Sequence, residues 1–149
     1  MTNPANIEIR AFITSDFAHA VRLWSNTEGI GLTESDTLEG VTAFLARNPG
    51  FSAVAVTAQG AVVGAVLCGH NGRNGSLHHL TVAASHRRQG VGKRLVDYCF
   101  AKLAEANVPR CNIFVYTENA AGNRFWTLNG WNNPTTWKVM QRHVLISPA

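Results

Sequence analysis

Leu77-His78-His79-Leu80-Thr81-Val82-Ala83-Ala84-Ser85-His86-Arg87-Arg88-Gln89-Gly90-Val91-Gly92-Lys93-Arg94-Leu95 decides how this chain folds. Its first part, residues 76–83, is rich in strand-forming residues. Its last part starts a helix, because Val91, Leu95, Cys99 and Leu103 recur at helical spacing. Between them lies a loop of small and basic residues closed by Gly90-Val91-Gly92. A strand that passes through glycines into a helix makes an anion site. The first helical turn has N–H groups without intrahelical acceptors and the positive end of the helix dipole. Glycine lets a phosphate approach the backbone with no side chain in the way. Arg87, Arg88, Lys93 and Arg94 can add charge. The pattern is not a Walker A loop, since Gly-Lys-Ser/Thr is absent, and it lacks the three glycines of a dinucleotide fingerprint. Taken alone, the turn is either a diphosphate site or a basic helix start that merely faces water.

The elements on either side alternate in type. Residues 7–12 (Ile-Glu-Ile-Arg-Ala-Phe) alternate apolar and polar as a half-buried strand does. Thr14 and Ser15 are candidate caps for a helix bearing Phe17, Ala20, Val21 and Trp24, which Gly29 and Gly31 end. Residues 33–36 can cap a second helix carrying Leu38, Val41 and Leu45, ending at Asn48-Pro49-Gly50. Residues 51–57 and 61–68 are strands split by Gln59-Gly60, a hairpin signal. Residues 69–75 form a glycine- and asparagine-rich turn. Beyond the decisive stretch, residues 111–116 are expected as a strand and 119–128 as a helix stopped by Asn129-Gly130. Residues 136–146 are expected as a final strand. Helices interleaved with strands in this order predict an α/β (α+β) fold over one domain, residues 1–149.

Composition narrows the function. With 46% apolar and 15% charged residues in 149, the chain is ordinary globular material. Cys68, Cys99 and Cys111 are odd in number and widely spaced, which argues against a disulfide framework and a cysteine zinc site. No metal is expected. No run approaches the ~20 apolar residues of a membrane span and no leader pattern opens the chain, so a cytoplasmic protein without membrane contact is expected. The net charge is +4, but the basic residues crowd the one turn, which suits a small polyanion better than nucleic acid.

The turn resembles the signature of the GNAT superfamily of acetyltransferases, Arg/Gln-x-x-Gly-x-Gly/Ala after a strand, here Arg87-x-x-Gly90-x-Gly92. Leu80-Thr81-Val82 resembles the family's Leu-x-Val, and Asn119 with the later Gly130-Trp131 resembles its Asn…Tyr-x-x-x-Gly-Phe stretch. The element order is similar over nearly the whole chain. The resemblance implies a six- to seven-stranded mixed sheet, flanked by about four helices and splayed between the strands at 76–83 and 111–116. It implies acetyl-CoA, or another short acyl-CoA, lying in that splay. The pantetheine would pair with Leu80 and Val82 on either side of Thr81. The diphosphate would rest on amides of Arg87, Arg88, Gln89, Gly90, Val91, Gly92 and Lys93, and Asn119 would contact the pantetheine. More loosely, Leu-Trp at residues 23–24 and the turn at residues 69–72 resemble uncharacterised bacterial acetyltransferases of the YpeA type.

Acetyl transfer to an amine needs a neutral amine, a stabilised carbonyl oxygen and a proton for the departing thiolate. The resemblance gives carbonyl polarisation to the backbone amide at Val82. Many relatives supply the proton from a tyrosine where this chain has Trp126, whose indole N–H can only hydrogen-bond the sulfur. Tyr116, ending the preceding strand, is the alternative acid. For the base, strand alternation puts Ser76, His78, Leu80 and Val82 on one side and His79 and Thr81 on the other, unless a bulge intervenes. His78 then has the right parity, and imidazole titrates near neutrality. The acceptor is expected at Trp24, Glu28 and Leu32, with Glu28 attracting a cationic amine. The function expected is an N-acetyltransferase acting on a primary amine of a small molecule or peptide, with homodimerisation possible. The competing reading is an acyl-CoA-binding sensor or partner module with little turnover, which Trp126 favours.

Overall fold

A computed structural model of the chain describes residues 6–147. They fall into two compact units, divided after Tyr116.

The first unit is built on a five-stranded mixed sheet in the order β1-β2-β3-β4-β5: Glu8–Ala11, Ala53–Val56, Val62–His70, Gly75–Val82 and Cys111–Ile113. Neighbours run antiparallel except β4 and β5, which are parallel. Helices α1 (Phe17–Ser25) and α2 (Leu38–Arg47) follow β1, and α3 (Val91–Glu105) joins β4 to β5. Side chains show which face each helix covers. Phe12, Ala20, Trp24, Val41, Val54, Val56, Ala65 and Leu67 form one buried cluster under α1 and α2. On the other face, a Cβ at Gly64 or Gly75 would meet Leu95 or Leu103 of α3 at 3.1 and 2.9 Å. Val91, Leu95, Cys99 and Leu103 of α3 are buried there.

The expected caps moved. Thr14 and Ser15 lie in a short 3-10 turn, Thr14–Asp16. Its Asp16 accepts the Ile13 amide at 3.0 Å and pairs with Arg10 through two hydrogen bonds of 2.8 and 3.0 Å. Helix α2 is capped by Thr37, whose hydroxyl accepts the Gly40 amide at 3.0 Å. Residues 33–36 form a separate turn, in which Asp36 Oδ2 accepts the Thr33 amide at 2.7 Å.

Two features of β4 matter most. Its register with β3 steps from Leu67↔His78 to Ala65↔Thr81, so β4 spends one extra residue there. This is a bulge, and His79 sits in it at φ 56°. Its register with β5 runs Gly75↔Cys111, Ser76↔Asn112 and Leu77↔Ile113, while β4 continues to Val82. The pairing of the two strands therefore stops at Leu77, just before the bulge.

The second unit contains α4 (Ala120–Leu128), with Asn119 as its cap: the Asn119 Oδ1 accepts the Gly122 amide at 3.0 Å. Residues 136–146, expected as a strand, form none. A strand exists only by pairing, and the second unit offers no other strand among its described residues. Among the described residues the sheet thus has five strands rather than six or seven. The architecture is the expected mixed α/β one, with four helices.

Candidate functional site

The turn after β4 is built from its backbone outward. Ala83 donates its amide to the Val63 carbonyl at 2.7 Å, closing the strand. A 3-10 turn, Ala84–His86, follows. Arg88 and Gly90 are both left-handed, at φ 61° and 78°. Two left-handed residues this close swing the chain sharply, and only glycine takes that conformation without cost. A Cβ at Gly90 would have nothing within 4 Å. Arg94 then donates its amide to the Gly90 carbonyl at 3.1 Å, so the amides of Val91 and Gly92 lie ahead of the helical ladder.

The basic side chains are less available than the sequence suggests. Arg87 Nε donates to the Val82 carbonyl at 3.0 Å. Lys93 pairs with Asp97 at 2.7 Å. Arg94 reaches away to the Ile7 carbonyl at 2.8 Å. What the turn offers an anion is mainly main-chain N–H groups and dipole. Beneath it His86 is buried, its Nδ1 2.8 Å from Ser85 Oγ and its Nε2 without a partner among the described residues.

Beside the turn is the opened edge of β4. From His78 to Val82 the strand has lost β5 as a neighbour. Leu80, Thr81 and Val82 thus lie on a strand edge with no paired strand among the described residues, in the segment that leads to the turn before α3. Thr81 is buried, and its hydroxyl donates to the His79 carbonyl at 3.1 Å across the bulge.

The bulge changes which side chains share a face. Alternation put His78 and His79 on opposite sides. In the structure His78 lies opposite Leu67 and edge-on to Phe44 of α2, with ring centroids 5.9 Å apart. His79 lies against Trp24 of α1, at 5.0 Å. Both therefore face the α1–α2 side, and their own centroids are 6.5 Å apart. His78 Nε2 meets Ser76 Oγ at 3.1 Å. Burial holds its pKa below the usual histidine value, and His79 pushes the same way while Asp36 opposes. His79 Nε2 meets Asp36 Oδ1 at 2.9 Å, with both side chains largely buried. Asp36 was legible in the sequence only as a cap, since nothing local links it to a histidine 43 residues on.

The remaining expected residues are dispersed. Trp24 is fully buried behind His79. Glu28 and Leu32 are exposed on the α1–α2 loop. Tyr116 is exposed, and its hydroxyl lies over Gly31 of that loop so closely that a Cβ there would collide with it. Asn119 and Trp126 belong to the second unit, where Trp126 packs edge-on to Phe125 and Trp131 at 5.0 and 4.9 Å. A hydrogen bond from the Cys99 thiol to Cys68, and then burial, pushes the Cys99 thiol up, and burial pushes Cys111 up to about 12. Both stay protonated at neutral pH and are poor nucleophiles. Among the described residues no group of three or more His, Cys, Asp or Glu could hold a metal, and no helix is long and apolar enough to cross a membrane.

The chain is similar to known proteins over most of its length. Residues 18–131 match the Acetyltransferase (GNAT) family. An acetyltransferase of Yersinia enterocolitica, YE1169, is 30% identical over 115 residues, which cover 77% of this chain and 80% of that protein. Among solved structures, Ard1 from Thermoplasma volcanium superposes with a TM-score of 0.77 at 22% identity, covering 87% of this chain and 85% of that one. AAC(6')-Iy in complex with a bisubstrate analogue, CoA-S-monomethyl-acetylneamine, gives 0.68 at 16% identity, covering 93% and 99%. This chain belongs to the GNAT family of acetyl-CoA-dependent N-acetyltransferases.

Proposed function

We propose that the protein moves an acetyl group from acetyl-CoA to a primary amine of a small molecule or peptide by direct attack, the whole chain working as one acyltransferase domain. One observation carries the reading: β4 has no paired strand beyond Leu77 on the β5 side, and the short turn that follows it leads to the left-handed Gly90 at the start of α3. A linear ligand with amides along its length and a diphosphate at its end fits such an edge. Main-chain groups of Leu80, Thr81 and Val82 would hold its pantetheine arm. The turn from Arg87 and Arg88 through Gln89, Gly90, Val91 and Gly92 to Lys93 would hold its phosphates. The open space around Gly90 supports this fit. The Val82 carbonyl, held by Arg87, has a second lone pair to offer.

Bound acetyl-CoA supplies the activated acyl group. The chain's residues do the rest. The Val82 amide would stabilise charge on the carbonyl oxygen. A histidine of β4 would take the amine's proton; His78, kept neutral by burial, is the choice the sequence favours. Tyr116, lying over the α1–α2 loop, would return a proton to the thiolate. Glu28 and Leu32 would meet the acceptor, with Trp24 behind them. AAC(6')-Iy, seen with a CoA–acetylneamine analogue, makes amino sugars one acceptor class to test.

The test is a turnover screen with acetyl-CoA against amines, polyamines, amino acids, aminoglycosides and peptide N-termini, monitored by thiol release. Turnover with one class names the acceptor. Tight acetyl-CoA binding with no turnover on any of them selects the sensor reading instead.

A further inference from the structure

Residues 26–37 link α1 to α2 and bear on the chemistry through one contact. Asp36 is fixed in its own turn, its Oδ2 accepting the Thr33 amide at 2.7 Å and the Thr33 hydroxyl at 3.3 Å. That leaves Oδ1 for His79 Nε2, at 2.9 Å. His79 in turn is held from three sides. The bulge sets its backbone at φ 56°, a conformation uncommon outside glycine and kept only where surroundings enforce it. Thr81 Oγ1 binds its carbonyl, and the Trp24 ring packs on its imidazole at 5.0 Å. Two chain segments 43 residues apart are thus locked together within the stretch of β4, His78 to Val82, that β5 no longer pairs.

We propose that His79 is the catalytic proton acceptor for the attacking amine and that Asp36 is its positioning residue, a dyad assembled across the α1–α2 loop. This rests on the acetyl-transfer reading above and moves the base from His78 to its neighbour. Three observations favour His79. Its Nε2 is held by a carboxylate, which fixes the N–H on Nε2 and leaves Nδ1 as the lone pair; among the described residues Nδ1 has no hydrogen-bond partner. A carboxylate at that distance stabilises the charge the ring gains on accepting a proton, as in catalytic triads. His78 instead turns its Nε2 back to Ser76, where β4 is still paired with β5. The ionisable groups around His79 are Asp36 from the loop and His78 from its own strand, while α1 presents the uncharged Trp24.

The step balances. The acceptor ammonium gives one proton to His79 Nδ1, directly or through a water, and becomes a neutral amine. Its nitrogen forms the N–C bond to the acyl carbon as the C–S bond breaks, and the sulfur keeps that electron pair. The second nitrogen proton passes to the thiolate. His79 then returns its proton to solvent, leaving an amide and a free thiol.

Three variants and one spectrum test the proposal in the full-length protein. His79→Asn keeps a residue that tolerates left-handed backbone. It should lower kcat by roughly 100-fold or more and abolish the acidic limb of the kcat profile, with KM for acetyl-CoA unchanged. Asp36→Asn should lower kcat at least ~10-fold and move that limb to lower pH, because the imidazolium has lost its carboxylate. Asp36→Glu should recover part of the loss. An unchanged limb in either of the first two variants overturns the dyad. Long-range nitrogen–proton NMR supplies a readout that needs no turnover: His79 should carry its proton on Nε2 in the native protein and on Nδ1 in Asp36→Asn. A native Nδ1–H tautomer overturns the proposal. If the native protein shows the Nε2–H tautomer but acetylates no amine, the acetyl-transfer reading fails while the dyad's geometry stands.

Discussion

Gly90 allows a controlled test of where acetyl-CoA lies. Its φ is 78° and a Cβ there would meet nothing within 4 Å, so Gly90→Ala perturbs the backbone and not the packing. A left-handed alanine costs about 1–2 kcal/mol. For a chain of this size that lowers Tm by roughly 2–8 °C. Gly60, in the turn between β2 and β3, is a matched control with φ 87° and the same empty surroundings. Gly60→Ala should therefore cost about as much stability. The two should separate only when ligand is added. At a CoA concentration ~100 times Kd, native protein and Gly60→Ala each gain about 2.7 kcal/mol. In Gly90→Ala the methyl projects where a diphosphate would approach. A 10-fold loss of affinity cuts the gain at the same concentration to about 1.4 kcal/mol, halving the thermal shift. Thermal melts with and without CoA, with Kd from calorimetry, decide the matter. If both variants bind CoA with native affinity, the turn is not the diphosphate site, whatever their stabilities.

Three further outcomes can be measured. Gly31→Ala should displace the Tyr116 hydroxyl, with which the new Cβ would collide, and lower kcat several-fold if the phenol acts where it lies; native kcat with a displaced Tyr116 would remove the phenol from the reaction. Asp16→Asn should cost about 2–3 kcal/mol at pH 7, because it leaves Arg10 and the Ile13 amide without a carboxylate. Burial raises the Asp16 pKa, but the Arg10 and Ile13 hydrogen bonds outweigh it, so the net shift is downward from 3.8. The native pair's stabilisation is present above that value and fades as pH falls below it, so urea titrations should show the variant's deficit shrinking toward pH 3. His78 is also shifted downward, from 6.5, with burial the leading cause. Its neutral form stabilises the fold above that value, and protonation erodes it below. His78→Gln should flatten the stability profile between pH 6.5 and 5, and an unchanged slope would mean that the buried ring does not drive it.

What the sequence disclosed depended on the range of the forces involved. The turn was readable because glycines and a helix start are local signals, and the helical spacing of Val91, Leu95, Cys99 and Leu103 matches a buried face of α3. The hairpin at Gln59-Gly60 was readable for the same reason, with Gly60 left-handed and its amide on the Thr57 carbonyl. The α2 cap was misplaced by one residue, because Thr33 and Asp36 satisfy each other before Thr37 takes the helix. Residues 136–146 misled, because strand-like composition does not supply a partner edge. The face of His79 was hidden, since one extra residue in β4 reverses alternation and leaves no mark in the composition. Asp36 as its partner was beyond any local pattern.

The end of β4–β5 pairing at Leu77 also bears on self-association. An unpaired strand edge is a template on which another chain can assemble, and this one runs from His78 to Val82 beside a largely apolar core. The same bulge that turns His79 toward Asp36 spoils the even spacing of N–H and C=O groups along that edge. A second polypeptide, whose groups repeat at a fixed interval, cannot stay in step across it. A flexible ligand with a few separated amides can. In filling the gap it would complete the sheet, so its concentration would set how long the edge stands bare and how readily the protein clumps.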